Sequence, residues 1–201
     1  MKAFYIIAGL GILFLLIQSY KLVSSDLTTE NQKYRVVLTE EQFEIRFYPA
    51  ATFAKIYSRG TDYKSVASSG FRKLAGYIFG GNEQSKSIAM TAPVIAAQSG
   101  LKTEENDWYV SFVMPAGSKF GHLPHPNDPQ VKLKELDAQT CIALSFRGRA
   151  TLEVTKNKID QLRSAAKREN IALSDETRIC RFDPPFKPGL LHYNEIVIPT
   201  F

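Results

Sequence analysis

Apolar and polar positions fall into two alternating rhythms along this chain. Phe43-Glu44-Ile45-Arg46-Phe47-Tyr48 alternates apolar and polar residues, the period of a strand with one buried face. Pro49 interrupts it, and residues 50–57 resume extended structure. Val66, Ala67, Phe71, Leu74, Ala75 and Ile78 then recur at helical spacing. Asp62 stands where an N-cap belongs, and Gly80-Gly81 where the helix must stop. Residues 88–97 and 108–114 read as strands. A loop rich in proline, glycine and histidine covers 115–130, and the same order follows. Strands are predicted over 131–136 and 141–146. Thr155 is placed as the cap of a second helix with Ile159, Leu162 and Ala166 on its apolar face. Strands over 178–182 and 193–198 complete the chain. Each half reads strand, helix, strand, strand, as a repeat of pattern without residue identity. Two such halves predict an α+β fold: a distorted β-barrel with two flanking helices that bury one face of every element.

The N-terminus has a different pattern. Lys2 precedes an apolar run from Ala3 to Ile17, which Gln18, Ser19 and Lys21 break. Residues 1–25 read as a signal peptide, with Val23 and Ser25 as small residues before a cleavage point at Asp26, or as an N-terminal membrane anchor. Residues 3–20 are near the minimum length of a membrane span. Residues 26–33 form a polar linker, and 34–201 the folded domain. The expectation is an exported, extracytoplasmic or periplasmic protein, held at the membrane if the leader is retained.

The 201 residues are 44% hydrophobic, enough for a substantial core. The net charge of +5 includes Lys2 and Lys21. The remainder is spread along the chain, without the basic stripe that nucleic acid requires, so no nucleic-acid partner is expected. Cys141 and Cys180 permit one disulfide in an exported domain, or two separate buried thiols. Their spacing fits neither a redox pair nor a zinc site.

Several short motifs occur in order over residues 33–201: Phe43-Glu44-Ile45-Arg46 before Tyr48-Pro49, Gly70 to Asn82, Lys86 to Val94 (KSIAMTAPV), Phe112-Val113-Met114-Pro115, Pro126-Asn127-Asp128-Pro129, Asp183-Pro184-Pro185-Phe186 and Asn194-Glu195. Together they resemble the SOUL/haem-binding protein family. That resemblance implies a distorted β-barrel with two helices and a non-catalytic role. It also implies non-covalent haem, or another tetrapyrrole, as cofactor and partner. Where members carry a proposed axial histidine after Glu-Ile-Arg, this chain has Phe47, which cannot ligate iron. Other members use an apolar cleft beside the first helix with basic side chains for the propionates. Those basic helix positions align with Ser68 and Gly76 here. Arg72 and Lys73 lie nearby, and a late-loop lysine is retained as Lys187.

Haem needs a flat apolar slot, cations for its propionates and usually a nitrogen or sulfur ligand. Phe71 and Ala75 are candidates for the slot, whereas helical periodicity assigns Leu74 to the core. Arg72 and Lys187 are candidate propionate partners, and His192 is the candidate iron ligand. His122 and His125, three apart in a loop, lack the further ligands of a metal site. Met90 and Met114 read as core methionines. No catalytic motif is present. Glu195 lies in an otherwise apolar strand. It is either a structural ion pair or an acid for a cationic or amphipathic ligand, and a hydrolase on a related two-half barrel rests on fold analogy alone.

Overall fold

The computed structural model describes residues 29–59, 63–98, 107–184 and 186–201. The expected leader, residues 26–28 of the linker and Asp62 lie outside them. Among the described residues a nine-stranded sheet and two α-helices carry the fold, beside a small two-stranded pairing of Glu30–Asn31 with Thr91–Ala92: β1 (Arg35–Thr39), β2 (Glu44–Tyr48), β3 (Ala51–Arg59), α1 (Tyr63–Ile78), β4 (Val94–Gln98), β5 (Asp107–Val113), β6 (Lys132–Leu136), β7 (Gln139–Arg147), α2 (Leu152–Arg168), β8 (Thr177–Arg181) and β9 (Tyr193–Pro199). Every pairing within the nine-stranded sheet is antiparallel, in the order β1-β2-β7-β9-β8-β4-β5-β3-β6.

That order explains the curl of the sheet. β2 and β3 are joined by only Pro49-Ala50, yet they lie near opposite ends of the sheet. β6 and β7, joined by Asp137-Ala138, do the same. A two-residue link spans only about 7 Å, so the sheet must bend until its ends approach. The order also shows the pseudo-symmetry expected from the pattern. With β1 set aside, exchanging β2 to β5 with β6 to β9 reverses the sheet onto itself about the central β4–β8 pair. Each half's leading strand, β2 or β6, therefore completes the other half.

Alternate side chains face opposite sides of each strand. On the outer side α1 packs on β3 and β5, and α2 on β7 and β9. Leu74, Tyr77 and Ile78 meet Ala54, Ile56, Val110 and Phe112 under α1. Leu162, Ala165 and Ala166 meet Ile142, Leu144, Ile196 and Ile198 under α2. The inner side gathers Tyr48, Phe53, Ile95, Ala97, Tyr109, Val113, Cys141, Ala143, Cys180 and Val197. A Cβ at Gly70 would lie 2.9 Å from a Val110 methyl, so glycine sets how closely α1 approaches the sheet.

The predicted glycine stop of α1 is present. Gly80 has φ +104°, and the Gly81 N–H donates 2.8 Å to the Gly76 carbonyl, which closes the last turn. Asn82 is buried beside it. Its Nδ2 donates to the Tyr77 carbonyl (3.0 Å) and the Lys86 carbonyl (2.7 Å), and its Oδ1 accepts the Lys86 N–H (3.0 Å).

The structure departs from the expected pattern at three places. The second helix starts at Leu152, three residues before Thr155: Thr151 is its cap, accepting from the Val154 N–H at 3.3 Å, and Thr155 is buried in the first turn. Strand β1 was not anticipated, because all five of its residues are exposed and give no alternation of burial. The strand expected over 88–97 is interrupted at Pro93, which has no N–H for the ladder and follows a cis peptide bond. Of the two readings open for Cys141 and Cys180, separate buried thiols is the one observed. β9 lies between their strands, and they pair with Pro199 and Glu195, four residues apart along it. Among the described residues no helix is long and apolar enough to cross a membrane.

Candidate functional site

The central strands β4 and β8 lie between the strands that carry the two helices, and their outer side chains join the two helix-packed clusters. Val94 and Ala96 come from β4, and Ile179 and Arg181 from β8. Val94 packs with the α1 cluster and Ile179 belongs to the α2 cluster. Trp108 touches both clusters, linking the halves. The α1 side carries Phe71. Its ring meets Phe112 edge-on, with centroids 5.4 Å apart, and is 36% exposed. Arg72 is exposed, Ala75 half-buried, and Leu74 fully buried in the core as its periodicity predicted.

A line of register joins α1 to the late loop. Phe71 sits on Phe112, Phe112 pairs with Val94, and Val94 pairs with Arg181. Two strand spacings amount to about 10 Å. Arg181 is the last residue of β8, and the loop after it carries Asp183, Lys187 and His192. The fold thus brings Phe71 and Ala75 toward the same end of the sheet as this loop, although more than a hundred residues of chain separate them.

The loop is tied to itself. Asp183 accepts from the Lys187 ammonium and from the Tyr193 N–H. His192 Nε2 lies 2.8 Å from the Lys187 carbonyl, and the His192 carbonyl accepts from the Gly148 N–H at 2.9 Å. Lys187 is thus already ion-paired, and one ring nitrogen of His192 is already bonded. Phe186, Leu190 and Leu191 face solvent and give the loop an apolar lip.

The remaining candidates are placed elsewhere. Phe47 alternates with Arg46 and so points away from the inner side, with the Arg35 guanidinium 5.6 Å from its ring centroid. Met114 is buried in the α1 cluster, as expected of a core methionine, whereas Met90 is 39% exposed. His122 and His125 are exposed, and no group of three or more His, Cys, Asp or Glu side chains able to hold a metal occurs among the described residues.

Glu195 is buried on the inner side, with both oxygens engaged. Oε2 accepts from Arg46 Nη1 at 2.8 Å. Oε1 accepts from the Tyr193 hydroxyl at 2.6 Å and the Ser145 hydroxyl at 3.0 Å. Arg46 also donates from Nε to Glu44 at 2.7 Å and lies 4.1 Å from the Tyr34 ring centroid. Burial disfavours the Arg46 charge, but the hydrogen bond to Glu195 and its negative charge outweigh that and raise the pKa. The ion-pair reading of Glu195 is the one observed.

A second polar group on the inner side escaped the sequence reading. Glu176 accepts from Tyr109 Oη (2.9 Å) and Arg178 Nε (2.5 Å), and Arg178 Nη2 donates to Gln139 Oε1 (3.1 Å). Lys55 lies beside them, its Nζ 4.3 Å from the Tyr109 ring centroid. The available signal was a lysine in the middle of a strand whose neighbours Phe53, Ala54 and Ile56 are all apolar.

The comparisons with known proteins agree with this architecture. The pattern described as SOUL heme-binding protein matches residues 29–199, so the chain belongs to that family. Heme-binding protein 1 of Xenopus laevis is 25% identical over 164 residues, covering 79% of this chain and 86% of the relative. Heme-binding protein 2 of Homo sapiens is 30% identical over 137 residues, covering 67% and 65%. Among solved structures, the EcmrR C-terminal domain superposes with a TM-score of 0.60 at 13% identity, covering 84% of this chain and 98% of that one, a likeness of fold.

Proposed function

We propose that this protein binds haem or another tetrapyrrole non-covalently, as a binding module and not an enzyme, at a site between α1 and the loop after β8. The half-exposed Phe71 ring on α1 is the observation that most favours this site. Hydrophobic burial would otherwise pull that ring fully into the α1 cluster. Haem presents a flat apolar macrocycle and two anionic propionates, and the residues present fit both. Phe71, Ala75 and the lip of Phe186, Leu190 and Leu191 offer apolar surface. Arg72 and Lys187 are the cations for the propionates. His192 is the nitrogen ligand we assign to the iron, through whichever ring nitrogen the Lys187 carbonyl leaves open. Bound haem would supply the iron chemistry, and the chain's part is to hold and orient the macrocycle and keep water from its faces. Membership of a family described as heme-binding supports this reading.

The test is a haemin titration followed in the Soret region, with Phe71→Ser, Arg72→Glu and His192→Ala in parallel. A saturable one-to-one band, weakened in the first two variants and shifted in the third, supports the reading. The absence of any saturable band on folded protein overturns it. Glu195 as the anchor of an organic cation is disfavoured by its engagement with Arg46. We further propose that residues 1–25 direct export, cleaved or retained as an anchor. The mass of the protein recovered from membrane and soluble fractions tests this.

A further inference from the structure

The two charged groups of the inner side differ in one respect. Arg46 faces two carboxylates, Glu195 and Glu44. In the other group Glu176 is shared by two cations, Arg178 and Lys55, and only Arg178 bonds it. Lys55 is 7% exposed, and its ammonium forms no hydrogen bond or ion pair with any described residue. Its neighbours are aromatic faces: Tyr109 at 4.3 Å and Phe53 at 5.6 Å to the centroids. Cation–π contact offsets part of the lost hydration but brings no counter-charge. A buried cation without one is costly.

The surroundings add positive charge and an aromatic path to solvent. Register sets Lys132 opposite Lys55 and Lys134 opposite Phe53, so these exposed lysines share the face of Lys55. The Tyr57 ring, 53% exposed, lies 5.9 Å from the buried Tyr109 ring. An aromatic surface thus leads from solvent to an ammonium whose nearby carboxylate, Glu176, is already bonded by Arg178, with two lysines at its rim.

We propose that this end of the inner face is a second binding site, for an aromatic or amphipathic monoanion, a carboxylate or sulfonate. Its charge meets Lys55 and Lys134, and its ring stacks on the exposed Tyr57. The site lies on the opposite side of the sheet from the helices and the proposed haem site, so the two are occupied independently. The chemistry is the reverse of a cation pocket: the acid of this group, Glu176, is already held by Arg178, and the unmatched charge is positive.

The probe is 1-anilinonaphthalene-8-sulfonate, with N-phenyl-1-naphthylamine as its uncharged counterpart, both followed by fluorescence on the full chain. The sulfonate should bind about tenfold more tightly than the neutral compound, Lys55→Met should remove most of that difference, and Lys55→Arg should retain it. The exposed Lys134→Gln should weaken sulfonate binding about threefold, a readout that stands even if a Lys55 variant does not fold. Haemin should leave sulfonate binding unchanged. The proposal is overturned if the two probes bind alike, if Lys55→Met and Lys134→Gln both bind the sulfonate as the wild type does, or if haemin displaces it competitively.

Discussion

Arg46 and Glu195 stand 2.8 Å apart, Nη1 to Oε2, both almost wholly buried, although one lies on the second strand and the other on the last. Strand β7 separates β2 from β9, so the pair spans the sheet on its inner side. Two motifs recognisable in the sequence, Glu44-Ile45-Arg46 and Asn194-Glu195, are halves of one structural contact. Removing either partner leaves a buried charge alone. Arg46→Met and Glu195→Gln should each cost about 3–5 kcal/mol, and the double variant less than their sum. Urea denaturation of the four proteins in the cycle measures this. Additive losses would show that the two residues do not act as a pair.

Stability should rise with pH through both Glu176 and Lys55, in an acid and an alkaline window respectively. Burial alone would raise the Glu176 pKa, but the charge and hydrogen bond of Arg178, with Tyr109 and Lys55, outweigh it and lower it from 4.5. The native state then binds fewer protons than the unfolded chain, so this stabilisation is fully present above the unfolded value and is lost as pH falls through the folded one. Glu176→Gln should flatten the acid limb of the stability profile.

Lys55 is shifted down from 10.5, chiefly by burial, with Arg178 and Lys134 adding to the shift and Glu176 opposing it. Between the folded value and 10.5 the unfolded chain binds the extra proton, so stability rises with pH across that window. Below it the native state bears the full cost of the charge. Lys55→Met should therefore be more stable than wild type at low pH, by a margin that narrows toward pH 10.5 in denaturation midpoints. A margin independent of pH would show that Lys55 does not titrate within the window.

The end of α1 depends on two neighbouring residues. Asn82→Ala leaves the Lys86 N–H and two carbonyls without their partner and should cost roughly 3 kcal/mol. Gly80→Ala places a Cβ on a residue at φ +104° and should cost about 1–2 kcal/mol. Thermal unfolding gives both values. An Asn82→Ala protein as stable as wild type would mean the loop from Gly81 to Lys86 holds without its side chain.

The two cysteines should be inert in the native protein. Burial raises the Cys141 thiol to about 11, with Arg178 opposing and Glu176 adding to the shift, and it raises Cys180 as well. Iodoacetamide at pH 8 should add no mass until the protein is unfolded, when two adducts should appear. Native labelling at either position would show that the inner face opens in solution.

Most elements and their order were legible along the chain, because helix and strand periods and glycine stops act over a few residues. Leu74 as core, Gly80-Gly81 as terminus and Leu162 with Ala166 as the buried face of α2 were all legible for that reason. The pseudo-symmetric pattern also announced a two-half barrel. Tertiary structure decided which strands meet, and with them the charged contacts. Nothing near Glu195 in the chain names Arg46, and nothing near Lys55 names Tyr109 or Glu176. These partners were fixed only when two-residue links forced β2 and β6 across to the opposite halves and curled the sheet over its own polar residues. The proposed haem site followed the same rule. Phe71 was visible as a helix position, but its nearness to Arg181 and the loop of Lys187 and His192 depends on the β5-β4-β8 register, which no local pattern encodes.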